Sequence, residues 1–188
     1  VQTCALPIWV LKAGPWSQGP ALLQQLALLA NDDLAKLSPT SPDFVHLWVE
    51  TAKLAFADRH AYYGDPRFVD VPVEQLLSSG YADERRKAFD PRRAAPGMPA
   101  AGEVDGRAHV AAPQPSNEKR NPALEPGTSY VCVIDKHGNA FSATPSDASN
   151  ATPVIPATGL CPSSRGSQSW CDPALPASVA PGKRPRLT

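Results

Sequence analysis

The stretch GTSYVCVIDKHGNAF, residues 127–141, decides how this chain is read. Residues 129–134 form a short β-branched and aromatic run. Pro126-Gly127 bounds it on one side and Lys136-His137-Gly138-Asn139 on the other, which predicts a strand with punctuation at both ends. The His-Gly-Asn turn supplies residues that tolerate positive φ, as a hairpin connection needs. Residues 141–144 then read as the returning strand. Thr128 stands at the head of this hairpin, beside a glycine whose missing side chain leaves its carbonyl open to approach. Two readings follow. Thr128 is a β-former that starts a strand, or it is a concealed N-terminus. Cut between Gly127 and Thr128, the chain would present a hydroxyl nucleophile and its own free α-amine as base on one residue.

Working outward, the 188 residues carry zero formal net charge and no basic stripe, which argues against nucleic acid as a partner. No apolar run approaches a membrane span; the longest, residues 21–30, contains two glutamines. Of the 22 prolines most lie after residue 90, so the core is expected from the first ninety residues and the hairpin. Residues 1–8, VQTCALPI, have no charge and no structural period. They can be encoded by the end of a common sequencing adapter, and they are set aside as an artefact. Cys4 then drops out, leaving Cys132, Cys161 and Cys171. These make no closed disulfide framework and show no metal-ligand spacing. Cys132, mid-strand, is expected to be a small buried hydrophobe, and a Cys161–Cys171 bridge is open.

The first half is predicted to be helical. Residues 17–30 offer Ser17 as a cap, Pro20 in the opening turn and a stripe of Leu22, Leu23, Leu26 and Leu29. Ser41-Pro42-Asp43 is a stronger start signal. Phe44, Leu47, Trp48, Thr51, Leu54 and Ala55 keep helical period from there to about Tyr62, and Gly64-Asp65-Pro66 ends the helix. PVEQLLSS and YADERRKAF predict two short helices. Residues 91–127 and 145–188 read as Pro-rich loop. Two helices, a loop and a hairpin do not close an architecture, because the strands need sheet partners.

Three segments in register carry a resemblance. FADRHAYYGDPRFVDVPVEQLLSSGYADERRKAFD at residues 56–90 resembles the A-D-R-x-x-Y-x-G-D-P segment of γ-glutamyltranspeptidases. GTSYVCVIDKHGNAFSATPSD at 127–147 resembles the start of that family's small subunit. APGKRPRLT at 180–188 resembles its K-R-P stretch.

The resemblance implies an α/β (α+β) fold: part of an αββα N-terminal-nucleophile sandwich, with helices in the first half and a β-hairpin after residue 127. It implies a proenzyme that cuts itself between Gly127 and Thr128. Residues 9–127 would then belong to the large subunit and 128–188 to the small one, so the chain would be an internal fragment, inactive by itself. Thr128 would be the catalytic nucleophile. The expected activity is γ-glutamyl hydrolysis and transfer on glutathione and related γ-glutamyl amides, with water or an amino acid as acceptor. No metal or organic cofactor is implied. A periplasmic or extracellular location is implied, with the cytoplasm open.

Departures from the family pattern bear on the substrate. Ser146 occupies the place of the family's second hydroxyl, with Asp147 beside it; a plain turn explains the pair equally. Where many members carry N-N-Q-x-D-D, this chain has GLCPSSRGSQSW. There Ser163, Ser164 and Arg165 are candidates to hold a substrate carboxylate, against a simple polar loop. The Ser-Ser pair after K-R-P is replaced by Arg186-Leu187-Thr188. A divergent amidase or acylase of the same family, or a non-catalytic binding module with a Pro-rich tail, is therefore the alternative. Asp58 and Arg59 are explained by an ion pair, Asp65 by a helix-ending turn, His46 and His60 by surface positions, and Trp48 by the core.

Overall fold

A computed structural model of the chain describes residues 10–106, 129–144, 153–162 and 169–186. Two units are formed, Val1–Pro115 with Ser169–Thr188, and Ser116–Gln168. The first is helical: α1 (Gly19–Leu28), α2 (Pro42–Tyr62), α3 (Val73–Leu76) and α4 (Ser79–Arg86). The second holds a two-stranded antiparallel sheet, β1 (Val131–Ile134) and β2 (Ala140–Ala143). No helix among the described residues is long and apolar enough to cross a membrane.

In α2 the sequence signals act as read. Ser41 Oγ accepts from Phe44 N at 3.2 Å, Pro42 opens the helix, Asp43 lies in the first turn and Arg59 and His60 in the last. The buried face runs through Leu47, Thr51, Leu54, Ala55 and Asp58. Trp48 is not in the core: it is 38 % exposed and stacks on Phe44 at 6.0 Å, because one helical step rotates it off that face. In α4, Ser78 Oγ accepts from Tyr81 N, so the helix starts two residues before Tyr81.

α1 is shorter than residues 17–30, and Ser17 is not its cap. The Ser17 hydroxyl donates to Gly14 O and accepts from Gly19 N, one turn too early, while Gln18 takes the cap position. Leu23, Leu28 and Leu29 are buried, but Leu22 and Leu26 are half-exposed and Gln24 and Gln25 are buried in their stead. The glutamines face α2. Gln25 Nε2 donates to Trp48 O at 2.9 Å and to Thr51 Oγ1 at 3.4 Å.

The apolar core joins Ala21, Ala61, Tyr62, Tyr63, Leu76, Tyr81 and Val104; Leu28, Leu54, Ala55 and Ala82 form a second cluster. A polar network runs beside them. Asp58, fully buried, accepts from Gln24 Nε2, from Arg85 Nε at 3.1 Å and from Gly102 N at 2.7 Å. Its ion pair is thus with Arg85 of α4, not with Arg59, because successive residues on a helix point apart. Tyr63 Oη donates to Gln24 Oε1 at 3.0 Å, and burial pushes its pKa up. A Cβ on Gly102 would lie 2.3 Å from Tyr81 Oη, so only glycine admits this backbone approach.

In the second unit the pairs are Val131↔Ala143, Cys132↔Ser142, Val133↔Phe141 and Ile134↔Ala140. The strands are shorter at one end and shifted by one residue from residues 129–134 and 141–144. Asp135 builds the turn: its Oδ1 accepts from His137 N and Asn139 N, its Oδ2 from Asn139 Nδ2, and Gly138 takes φ +84°. The Asn139 side chain, foremost among these donors, lowers the Asp135 pKa. Val131, Val133, Ile134 and Phe141 are all exposed, and so is Cys132, contrary to its expected burial. Neither face of the ribbon is covered by described residues. Cys161 and Cys171 are free thiols and form no bridge.

Candidate active site

Every residue singled out for chemistry lies outside the described residues: Gly127, Thr128, Ser146, Asp147, Ser163, Ser164 and Arg165. So do residues 1–8. What the structure does describe is the hairpin that begins just after Thr128 and the ground that the K-R-P stretch occupies.

That ground is the C-terminal end of α2. The helix ends at Tyr62 with Tyr63 extended as its cap, and a Cβ on the following Gly64 would stand 2.5 Å from Pro176 O, so the segment 169–186 packs directly on this backbone. Asp65, 1 % exposed, is the hub. It accepts from Arg67 N at 3.1 Å, pairs with the Arg67 guanidinium at 2.8 Å and accepts from Arg184 N at 2.9 Å. The Arg67 side chain, above all, holds the Asp65 carboxyl well below the usual range. Arg67 Nη2 in turn donates to Gly182 O at 2.9 Å, and the Arg184 guanidinium lies over the Trp16 ring at 4.3 Å. The helix-ending turn expected at Asp65 is therefore also the seat of Gly182-Lys183-Arg184, more than a hundred residues away in sequence.

One turn back on α2, Arg186 Nη1 donates to His60 Nδ1 at 3.2 Å. This fixes Nδ1 as an acceptor and leaves the ring proton on Nε2. Trp170 flanks both, 5.7 Å from the Arg186 guanidinium and 6.5 Å from the His60 ring. Burial first, then the charges of Arg186 and Arg59, pull His60 down to about 4. His60 is thus half-buried and engaged, not a free surface histidine. His46 is likewise half-buried, donating to Asp90 O from Nε2 at 2.9 Å and packing on Phe89. Sequence reading missed the meeting of His60, Trp170 and Arg186, because nothing in their spacing announces contact across more than a hundred residues.

A cavity of about 470 Å³ opens beside α1, lined by Lys12, Ser17, Gln25 and Phe56 among others. Its lining holds no nucleophile paired with a base.

The family model described as gamma-glutamyltranspeptidase matches residues 7–188. The Acylase ACY 1 proenzyme of Pseudomonas sp. strain SE83 is 34 % identical over 175 residues, 90 % of this chain and 27 % of its own length. The glutathione hydrolase proenzyme of Escherichia coli K12 is 35 % identical over 130 residues, 69 % of this chain and 20 % of its own. Among solved structures, cephalosporin acylase from Bacillus halodurans superposes with a TM-score of 0.65 at 27 % identity, covering 98 % of this chain and 32 % of that one. The chain thus spans between a fifth and a third of the length of these relatives. With the match running almost end to end through all three motif segments, the chain belongs to the gamma-glutamyltranspeptidase family.

Proposed function

We propose that the complete protein is a self-processing amide hydrolase in which Thr128 is first the cleavage residue and then the nucleophile. The observation that carries this is the unbroken family match across the Gly127-Thr128 junction, and the start of β1 at Val131, three residues on in sequence, is consistent with it. In the precursor the Thr128 hydroxyl attacks the Gly127 carbonyl carbon, the peptide C–N bond breaks, and the hydroxyl proton passes to the released nitrogen. Water then hydrolyses the resulting ester. In the mature protein the same hydroxyl attacks the substrate's amide carbon. The α-amine takes the hydroxyl proton and returns it to the leaving amine, and water or an amino acid accepts the acyl group.

Residues 9–127 would be large-subunit sequence and 128–188 small-subunit sequence. The hairpin, whose Val131, Val133, Ile134 and Phe141 are exposed, would be completed as part of the sandwich by strands of the whole protein. Ser146 would support the nucleophile, and Asp147, Ser163, Ser164 and Arg165 would face the substrate.

Two donor classes fit this mechanism: γ-glutamyl amides such as glutathione, and other acyl amides. Relatives of both names match most of the chain: the acylase proenzyme over 90 % of it and the glutathione hydrolase-like YwrD proenzyme of Bacillus subtilis over 93 %.

The test is mass spectrometry of the full-length protein. A small subunit beginning at Thr128 is expected, with Thr128→Ala remaining a single uncut chain and Thr128→Ser still cutting, more slowly. A wild-type small subunit that starts elsewhere, or an alanine variant that still splits there, sinks the assignment. Parallel assays with a γ-glutamyl anilide and an acyl anilide separate the two donor classes.

A further inference from the structure

Residues 169–186 are held to the end of α2 at two anchors of different chemistry. The first is Asp65, which accepts from Arg184 N at 2.9 Å, while Arg67 Nη2 reaches Gly182 O at 2.9 Å. The Arg67 side chain, above all, holds the Asp65 carboxyl well below the usual range, so this anchor outlasts a fall in pH. The second is His60, whose Nδ1 accepts from Arg186 Nη1 at 3.2 Å, with the Trp170 ring 6.5 Å from the imidazole and 5.7 Å from the guanidinium. This anchor needs a neutral ring, because an imidazolium carries N–H on both nitrogens and offers no acceptor. The backbone bonds of Trp170 to Ala177 and Val179 lie within the segment and do not hold it to α2.

A proton on His60 finds no compensation. Arg186 and Trp170 face the ring from the returning segment, and on α2 the charge of Arg59, its neighbour in sequence, also opposes protonation. The other cations of the segment are committed elsewhere, Lys183 to Ser178 Oγ and Arg184 to Asp65. Among the described residues no carboxylate pairs with His60. We propose that His60 and Arg186 form an acid-released latch: a proton on His60 Nδ1 frees Arg186 and the Trp170 ring from the helix, while Asp65 keeps residues 182–184 in place. The docked ring sits at about 4, and a released one returns towards 6.5. Docking is therefore undisturbed above pH 6.5 and weakens from there down to about 4, by up to roughly 300-fold. The latch does not depend on Thr128 chemistry.

The experiment titrates the complete protein from neutral pH to below 4, following tryptophan emission beside far-ultraviolet circular dichroism. Subtracting the same titration of Trp170→Phe isolates the signal of Trp170. The expected result is a reversible shift of Trp170 emission to longer wavelength between pH 6.5 and about 4, at constant helix signal. His60→Gln keeps an acceptor for Arg186 and takes up no proton, so it holds the docked emission throughout. Arg186→Ala shows the released emission already at neutral pH. Loss of intensity without a wavelength shift means that an imidazolium quenches a ring still in place, and it overturns the proposal. So do the absence of any step, a step that survives in His60→Gln, and a step that coincides with loss of helix. None of these readouts involves cleavage or turnover, so failure here leaves the reading of Thr128 standing, and failure there leaves this one.

Discussion

Single side chains here hold charge in places that water does not reach, and this sets their energetics. Asp58 is fully buried, and among the described residues its ion-pair partner is Arg85. Removing one partner of such a pair leaves the other charged and desolvated, which costs about 3–5 kcal/mol. Asp58→Ala should therefore lower the unfolding free energy measured in urea by that amount, and adding Arg85→Met should recover part of the loss. A double variant no more stable than the single one would show that the pair is not the source. His60 makes the opposite kind of contribution. Its folded pKa of about 4 lies below the ordinary 6.5, so the unfolded chain takes up the proton first as pH falls. Stability from this group is complete above pH 6.5, declines between 6.5 and about 4, and is flat below. His60→Gln should flatten that part of the stability-against-pH curve; curves for variant and wild type that stay parallel would exclude it.

At the scale of elements, the termini of the helices carry more information than their faces. The Ser41 cap bonds Phe44 N, and Ser41→Ala should cost about 1 kcal/mol of stability in chemical denaturation. The same substitution at Ser17 should cost less, since its hydroxyl bonds a turn that precedes α1. Gly64 acts as a contact surface, with the carbonyl of Pro176 lying where a side chain would begin. Gly64→Ala should displace residues 169–186 from the end of α2, read as faster amide exchange in that segment. Unchanged exchange there would mean that the backbone yields elsewhere.

For the molecule as a whole, processing at Gly127-Thr128 would place Asp65 and Arg184 on different polypeptides. Their hydrogen bond, with Arg67 reaching Gly182, would then tie the two subunits together without a covalent link. Asp65→Ala should release the small subunit from processed protein at lower urea than wild type, measured by size-exclusion chromatography. Co-elution of the variant subunits up to the wild-type urea concentration would exclude the tie.

Local physics determined much of this protein from sequence alone. The cap and proline of α2, the breaker at Gly64-Asp65-Pro66 and the Asp-x-x-Gly-Asn turn of the hairpin each act within a few residues, so their outcome can be read from a few residues. The family was legible for a related reason: three motifs keep their order and spacing along the chain. The partner of Asp58, the burial of Gln24 and Gln25, the exposure of Trp48 and the meeting of His60, Trp170 and Arg186 were decided only by the tertiary structure. Those outcomes depend on which helix faces come together and on a segment returning from more than a hundred residues away. A buried arginine has no sequence signature of its own, because its cost and its partner are properties of the space that the packed elements enclose.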